Sequence, residues 1–552
     1  MPTIIIDGQR IECRPGIPIL QAALEAGLNI PHYCYHPGLS VVASCRLCLM
    51  EMKMPHPQTR ELDWAPKLFP SCQTPVRDGL EVRFNSERVR QNQKRVMEYY
   101  LLNHPLDCPV CDKAGECYLQ DYAERFGEPT SRMVEDKHKN PKKDIGPRTL
   151  LYSDRCVLCG RCVRFAQEIA GTAELAVTNR ASYNEIDVFP GRPLDNKLQG
   201  NVVDLCPVGA LVSKDFLFKQ RVWFLQDAKS VCPGCSRGCT VHVDQHENRV
   251  YRLRPRFNEK VNAWWMCDDG RFGFKYVHRD DRLNQPRIRR GAEWAPVSWE
   301  ELPEILRFRF ERMAKSDDGA AVAAVLSPMM SCEEAWLLAR FIRDVAPQAA
   351  LVPGPVPVEG EDEIFPKGSA GVPPAAGGSA GVPPASGFVI KAEKCPNRRG
   401  VERVIEHFGG ATLTFGDFAA QAGESKYKAA YVVGGYPNEW VTKDCAKALA
   451  KVEFLVVHDL FASPLDATAT VQIPSASWVE REGSFMNCDG LLQPFERAIV
   501  PLEGVKADGQ FLYELCGERG LFRAARVREA MAAAVPSFGE VHVPRDPPRH
   551  AH

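Results

Sequence analysis

The sequence predicts a multidomain chain, α+β in its first half and α/β in its second. Three observations predict this. The 552 residues exceed the roughly 250–300 at which a single core stops growing, so three to five domains are expected. Of the 21 cysteines, 16 lie before residue 270, and 15 of those fall in four groups. The second half alternates helical patterns with apolar runs such as "AAVAAVLSP", "AAYVVGGYP" and "EFLVVHDL", which read as buried parallel strands. The net charge of -1 gives no reason to expect a nucleic-acid partner. No apolar run approaches the roughly 20 residues that span a bilayer. The opening "MPTIIIDGQRIEC" has neither the basic-then-apolar pattern of a signal peptide nor the Arg/Ser bias of a transit peptide, so neither is expected. Grouped cysteines in a long chain of this kind point to metal binding in a reducing compartment rather than to disulfides.

The first elements are a hairpin and a helix. "TIIIDGQRIEC" places two apolar runs around Asp7-Gly8, a hairpin signal. "IPILQAALEAGLNIP" reads as a helix with Leu20, Ala23 and Leu24 on one face and Gly27 as its stop. The first ligand group follows: Cys34, Cys45, Cys48 and Cys72, spaced C-x10-C-x2-C-x23-C. Hairpin, helix and cysteine loop is the order of a plant-type [2Fe–2S] ferredoxin, whose spacing is C-x4-C-x2-C…C. The longer first interval implies a bulged loop. A zinc site is the alternative.

"SERVRQNQKRVMEYYLLNHP" reads as an amphipathic helix, with Val89, Val96, Met97, Tyr100 and Leu101 on one face and Arg88, Lys94 and Arg95 on the other. Pro105 and Pro109 end it. His104, Cys108, Cys111 and Cys117 therefore sit on a loop stiffened by proline. A histidine at a helix end is commonly a cap, but three cysteines lack a fourth partner for a [4Fe–4S] cubane. His104 is the candidate, its other N–H held by an acceptor. An imidazole in place of a thiolate leaves the cluster less negative and raises its potential, as in Rieske centres.

The third group is Cys156, Cys159, Cys162 and Cys206, in "CVLCGRC" and "LCPVGAL", the bacterial ferredoxin pattern. Four cysteines where a two-cluster domain has eight imply one [4Fe–4S] cluster and a second half that kept only the fold. The fourth group is Cys232, Cys235, Cys239 and Cys267, spaced C-x2-C-x3-C-x27-C, with zinc a live alternative to a third [4Fe–4S] cluster. Cys13, Cys332, Cys395, Cys445, Cys488 and Cys516 are scattered and are read as packing residues.

Four groups in this order, carried by "HYCYHPGLSVVASCRLC", "HPLDCPVCDKAGEC", "DRCVLCGRCVRF" and "CPGCSRGC", closely resemble the large iron–sulfur subunit of respiratory NADH–quinone oxidoreductases. The resemblance covers most of residues 1–290. It implies one [2Fe–2S] and three [4Fe–4S] clusters, with the His-ligated one between the first and third. It implies electron transfer from a flavin/NADH-binding subunit towards quinone, coupled to ion translocation by the complex, with no NADH site in this chain. The implied partners are the flavin subunit, its small 2Fe-2S subunit, and quinone-site and ferredoxin-type connecting subunits. The implied location is the cytoplasmic side of the bacterial inner membrane, in the peripheral arm.

The second half weakly resembles molybdopterin oxidoreductases, through "CDDGRFGFKYVHRDDRLNQPRIRR" and "IPSASWVEREGSFMNCDGLLQP". Ser298 with Glu301, and Ser331 with Glu334, read as capping boxes. Gly434-Gly435 reads as a tight turn, since no G-x-G-x-x-G is present. "GSAGVPPA" occurs twice, at 368–375 and 378–385, and reads as a mobile surface loop. The expected domains are 1–82 ([2Fe–2S], ferredoxin-like β-grasp), 83–145 (His/Cys [4Fe–4S]), 146–222 (ferredoxin-type [4Fe–4S]), 223–290 (molybdopterin-oxidoreductase-type [4Fe–4S]) and 291–535 (degenerate molybdopterin-oxidoreductase-like α/β, with an insertion at 366–388). Two rivals stand beside this reading. A formate-dehydrogenase-type molybdenum enzyme needs a catalytic thiol beyond the fourth group, and only Cys332 lies between Cys267 and Cys395. The diaphorase module of a soluble hydrogenase would end near residue 230. No molybdenum is expected.

Overall fold

Asp7 and Gly8 carry positive φ angles of 49° and 83°, and they turn Thr3–Ile6 back on Gln9–Glu12 as an antiparallel pair. The computed structural model describes residues 1–56, 58–315, 319–366, 387–410 and 413–547. Thr3–Ile6 also pairs in parallel with Glu81–Arg83, which pairs antiparallel with Leu49–Pro55. This sheet grasps the helix Ile19–Glu25, whose Leu20, Ala23 and Leu24 are buried as their spacing requires. The sheet runs through Arg83, so the expected boundary at 82 cuts its closing strand.

Ser86 caps the helix Glu87–Leu101 by accepting from the Val89 N–H at 3.3 Å. Val89, Gln93 and Met97 form its buried stripe, with Val96, Tyr100 and Leu101 half-buried beside it. The third group rests on a three-stranded antiparallel sheet of Leu211–Ser213, Thr149–Tyr152 and Lys142–Asp144. That sheet takes in Lys142, before the expected start at 146. Gln226–Val231, Thr240–His246 and Arg249–Pro255 form the sheet that carries the fourth group.

The second half is built on seven strands, ordered Glu293–Pro296, Arg287–Arg290, Val471–Pro474, Phe454–Asp459, Ala429–Val433, Val322–Leu326 and Ala350–Pro353. The last five pair in parallel, as the apolar runs predict. Val322, Ala324 and Leu326 pack into one core while Ala323 and Val325 pack into another. This is the period of two expected of a strand covered on both faces. The expected boundary at 290 falls inside the hairpin Arg287–Pro296, both strands of which belong to this sheet.

Ser331 and Glu334 form the expected capping box on the helix Cys332–Val345. Ser298 and Glu301 also bond to each other, but they close the turn before the helix Leu302–Ala314, which has no side-chain cap. The hairpin Glu363–Phe365 with Phe388–Ile390 flanks the expected insertion; the two "GSAGVPPA" copies lie outside the described residues.

Candidate metal centres

Each ligand group converges. In the first, Cys34 lies close enough to Cys45 and Cys72, and Cys48 to Cys72, for each thiol to shift the other's titration. All four are buried, and the Tyr33 N–H donates to Cys45 Sγ at 3.4 Å. The long first interval bulges as expected, with Ala43 and Arg46 at φ of 50° and 57°.

His104, Cys108, Cys111 and Cys117 line one cavity of about 280 Å³. The short 3-10 turn Cys108–Val110, with Pro109 inside it, presents the first two cysteines. Burial and the nearby Arg155 and Lys137 hold the His104 imidazole neutral, its pKa lowered to about 4. Its Nδ1 is buried with no hydrogen-bond partner, the condition of a nitrogen open to a metal. The acceptor expected for the ring is not found among the described residues. A Cβ on Gly209 would collide with Cys111 Sγ, so the bare glycine makes room for the sulfur.

Cys156, Cys159, Cys162 and Cys206 line a third cavity, and the Leu158 N–H donates to Cys156 Sγ at 3.3 Å. The α/π helix Arg161–Ala170 and the hairpin Leu175–Val188 follow. Cys232, Cys235, Cys239 and Cys267 line a fourth cavity of about 350 Å³. There the Gly270 N–H donates to Cys267 Sγ at 3.4 Å. A Cβ on Gly270 would stand 2.9 Å from Cys232 Sγ.

The donor chemistry suits clusters. Burial pushes the thiols of Cys117 and Cys232 up to about 12 and that of Cys159 up to about 11. A bound cation is what holds such groups as thiolates at neutral pH. A cubane binds each of its four ligands to a different iron, so its donors stand around a cavity rather than on one point.

Three arginines, which cysteine spacing alone does not single out, join the sets. Arg164 donates to the carbonyls of Cys34, Ser40 and Cys159, tying the first set to the third. Arg161 donates to the carbonyls of Tyr35 and Leu205. Arg155 lies 2% exposed. It ion-pairs with Asp107 at 2.7 and 2.9 Å and donates to the Gly209 carbonyl at 3.4 Å, tying the third set to the second. The Tyr118 N–H adds a bond to the Pro207 carbonyl at 2.9 Å. The first and second sets meet through the rings of Tyr33 and Tyr122, 5.6 Å apart. Polar bonds thus join the third set to both of the others, while the first and second meet through rings, a pattern that favours the third set over the His104 set for the middle position. The available signal was the arginines themselves, interleaved with cysteines in "DRCVLCGRCVRF".

The second half presents a different site. Glu480, Arg481 and Ser484, in the stretch that resembles molybdopterin oxidoreductases, are buried in ion pairs and hydrogen bonds. Glu480 pairs with Arg282 at 2.7 and 2.8 Å. Arg481 pairs with Glu334 at 2.7 Å and Asp508 at 3.1 Å. The Ser484 hydroxyl donates to Glu333 at 2.8 Å. The Cys332 thiol is fully buried, meets Asn397 Oδ1 at 3.2 Å, and is pushed up in pKa by burial. Gly434 and Gly435 are more than a tight turn. A Cβ on Gly434 would strike the Asp459 carboxylate, and the Gly435 N–H donates to it at 2.8 Å.

Family models match along the chain in the order of the four sets. A 2Fe-2S iron-sulfur cluster binding domain matches residues 1–87. An NADH-ubiquinone oxidoreductase-G iron-sulfur binding region matches 93–132. The ferredoxin-like domain of NADH-quinone oxidoreductase subunit 3 matches 146–212. A molybdopterin oxidoreductase Fe4S4 domain matches 225–279, and the molybdopterin oxidoreductase family itself 409–518. The G subunit of the NADH-quinone oxidoreductase of Rickettsia bellii (strain RML369-C) is 36% identical over 348 residues, 62% of this chain and 48% of its own length. The chain is thus similar to a G subunit of this kind. It is also similar to the NADH-ubiquinone oxidoreductase 75 kDa subunit of Reclinomonas americana, 34% identical over 371 residues, 66% of this chain and 52% of that one. The chain thus spans about half the length of these curated relatives. A solved structure, an NAD+-reducing [NiFe]-hydrogenase in the H2-reduced state, is 30% identical over 40% of this chain and 91% of its own, with a TM-score of 0.35.

Proposed function

We propose that this chain is an electron carrier, an iron–sulfur subunit of an NADH–quinone oxidoreductase that passes electrons from a flavin subunit towards quinone. The observation that carries the reading is the contact chain from the first set through the third to the second, made by Arg164, Arg155 and Gly209. When bound, the clusters supply one-electron oxidation and reduction with little change in geometry. The chain's own residues do the rest. Cysteines and His104 hold the centres. The N–H groups of Tyr33, Leu158 and Gly270 donate to sulfur, which raises potential by stabilising the reduced, more negative state. Buried arginines fix the spacing on which transfer depends. Glycines without a side chain leave room for the sulfurs.

The proposed content is one [2Fe–2S] cluster on Cys34, Cys45, Cys48 and Cys72, and three [4Fe–4S] clusters on the remaining sets. No molybdenum is expected: the buried, ion-paired polar groups and the unactivated Cys332 thiol support that reading of the second half. The fourth set is assigned a structural role, since metal ligation contributes folding free energy. The proposed partners are the flavin/NADH-binding subunit, its small 2Fe-2S subunit, and ferredoxin-type and quinone-site subunits. The proposed place is the cytoplasmic face of the bacterial inner membrane. No described helix is long and apolar enough to cross it. Anaerobic iron and sulfide analysis tests the content. About 14 irons per chain are expected from these cluster types. A count near 10 with zinc present would remove the fourth cluster.

A further inference from the structure

A cavity open to solvent lies where the second, third and fourth ligand segments meet, and no ligand cysteine lines it. Junctions between domains are where small-molecule sites concentrate. Its body is apolar, built by Leu211, Leu253, Phe216, Phe272 and Phe274. Two of the rings already carry a cation. Arg252 lies over Phe216 at 4.6 Å and Arg148 over Phe272 at 4.8 Å.

The charges on the wall decide the ligand's sign. Glu116 is paired with Arg252 at 2.8 and 3.0 Å. Asp204 is held by Arg271, and Asp215 by Lys275. The fourth carboxylate, Asp112, accepts the Phe218 N–H at 2.9 Å. Arg148, an exposed lining residue, makes no ion pair or hydrogen bond through its guanidinium among the described residues. The wall residues Thr149 and Arg271 are buried, and the Thr149 hydroxyl and Arg271 Nε have no hydrogen-bond partner among the described residues. Buried polar groups of this kind are normally satisfied, so each marks a place where an acceptor belongs.

We propose that this cavity is a binding site for a small aromatic anion, its ring lying against the Phe216, Phe272 and Phe274 side chains and its charged group on Arg148. Such a ligand is matched on both counts. The rings and aliphatic side chains take its apolar face. The unpaired guanidinium takes a carboxylate, sulfonate or phosphate in a two-pronged bond.

Equilibrium dialysis of the full, cluster-loaded chain against 2-naphthoate and the uncharged 2-naphthamide tests this. One saturable naphthoate site per chain is expected, with the amide bound at least tenfold more weakly. Arg148→Gln, a change at an exposed residue, should bring naphthoate down to the level of the amide and leave the amide unchanged. Ser213→Trp, which fills the cavity from its wall, should abolish both while iron content and thermal stability are retained. Equal affinity for acid and amide, or naphthoate binding untouched by Arg148→Gln, would overturn the proposal, as would no saturable binding at millimolar probe. Because the readout is binding, its failure leaves the electron-carrier reading standing.

Discussion

The two halves of this chain solve burial in opposite ways. In the second half a parallel sheet is covered on both faces by packed aliphatic and aromatic side chains, and polar groups inside it are paired with one another. In the first, the largest core includes the ligand cysteines themselves, and three of the four ligand sets surround cavities. A core that closes around a space is completed by what fills it. The first half should therefore depend on its clusters for stability, and the second on its own side chains.

Removing the metal should separate the halves most sharply. Chelation under reducing conditions should unfold residues up to about 280, because ligation free energy is folding free energy. Limited proteolysis with mass spectrometry should then leave a core fragment from the seven-stranded sheet. Uniform digestion of both halves would contradict the division. A break made inside the second half should act without any metal. Arg481→Met strands Glu334 and Asp508, both buried, and should cost about 3–5 kcal/mol. The denaturant midpoint of the second half should fall and the iron content should stay.

Acidity offers a third contrast. Asp459 is fully buried and pushed up to about 6, despite N–H donors from Gly435, Leu460 and Trp440. An unfolded aspartate titrates near 3.9. The folded state therefore binds the extra proton between these values, and stability declines as pH rises from about 4 to 6. Two units correspond to about 3 kcal/mol. Stability measured against pH in the second half should show that decline in the parent chain and lose it in Asp459→Asn. The smallest effect belongs to the capping box. Ser331→Ala should cost about 1 kcal/mol and leave the cluster spectra unchanged.

Local features are legible in the sequence and relations across distance are not. The Asp7-Gly8 hairpin, the Ile19–Glu25 helix, the ligand spacings and the apolar strands are carried by residues within a few positions of one another. The order of the three joined sets is not. It rests on Arg161 reaching Tyr35 and Arg164 reaching Cys34, contacts spanning 126 and 130 residues, which no periodicity encodes. Short charged strands escape for a related reason: Lys142–Asp144 and Arg287–Arg290 read as surface loops, and only their partners make them strands. In sequence the Gly434-Gly435 pair reads only as a turn, because the carboxylate it accommodates comes from the next strand, at Asp459.

We propose that the third set stands between the first and second. Pulsed EPR on the reduced, cluster-loaded chain measures it through the pairwise magnetic coupling of the three centres, with His104→Cys used to identify the second. Strong coupling of the third centre to each of the others is predicted, with the weakest coupling between the first and the second. A first–second coupling stronger than either of those would place the His104 centre in the middle and contradict it.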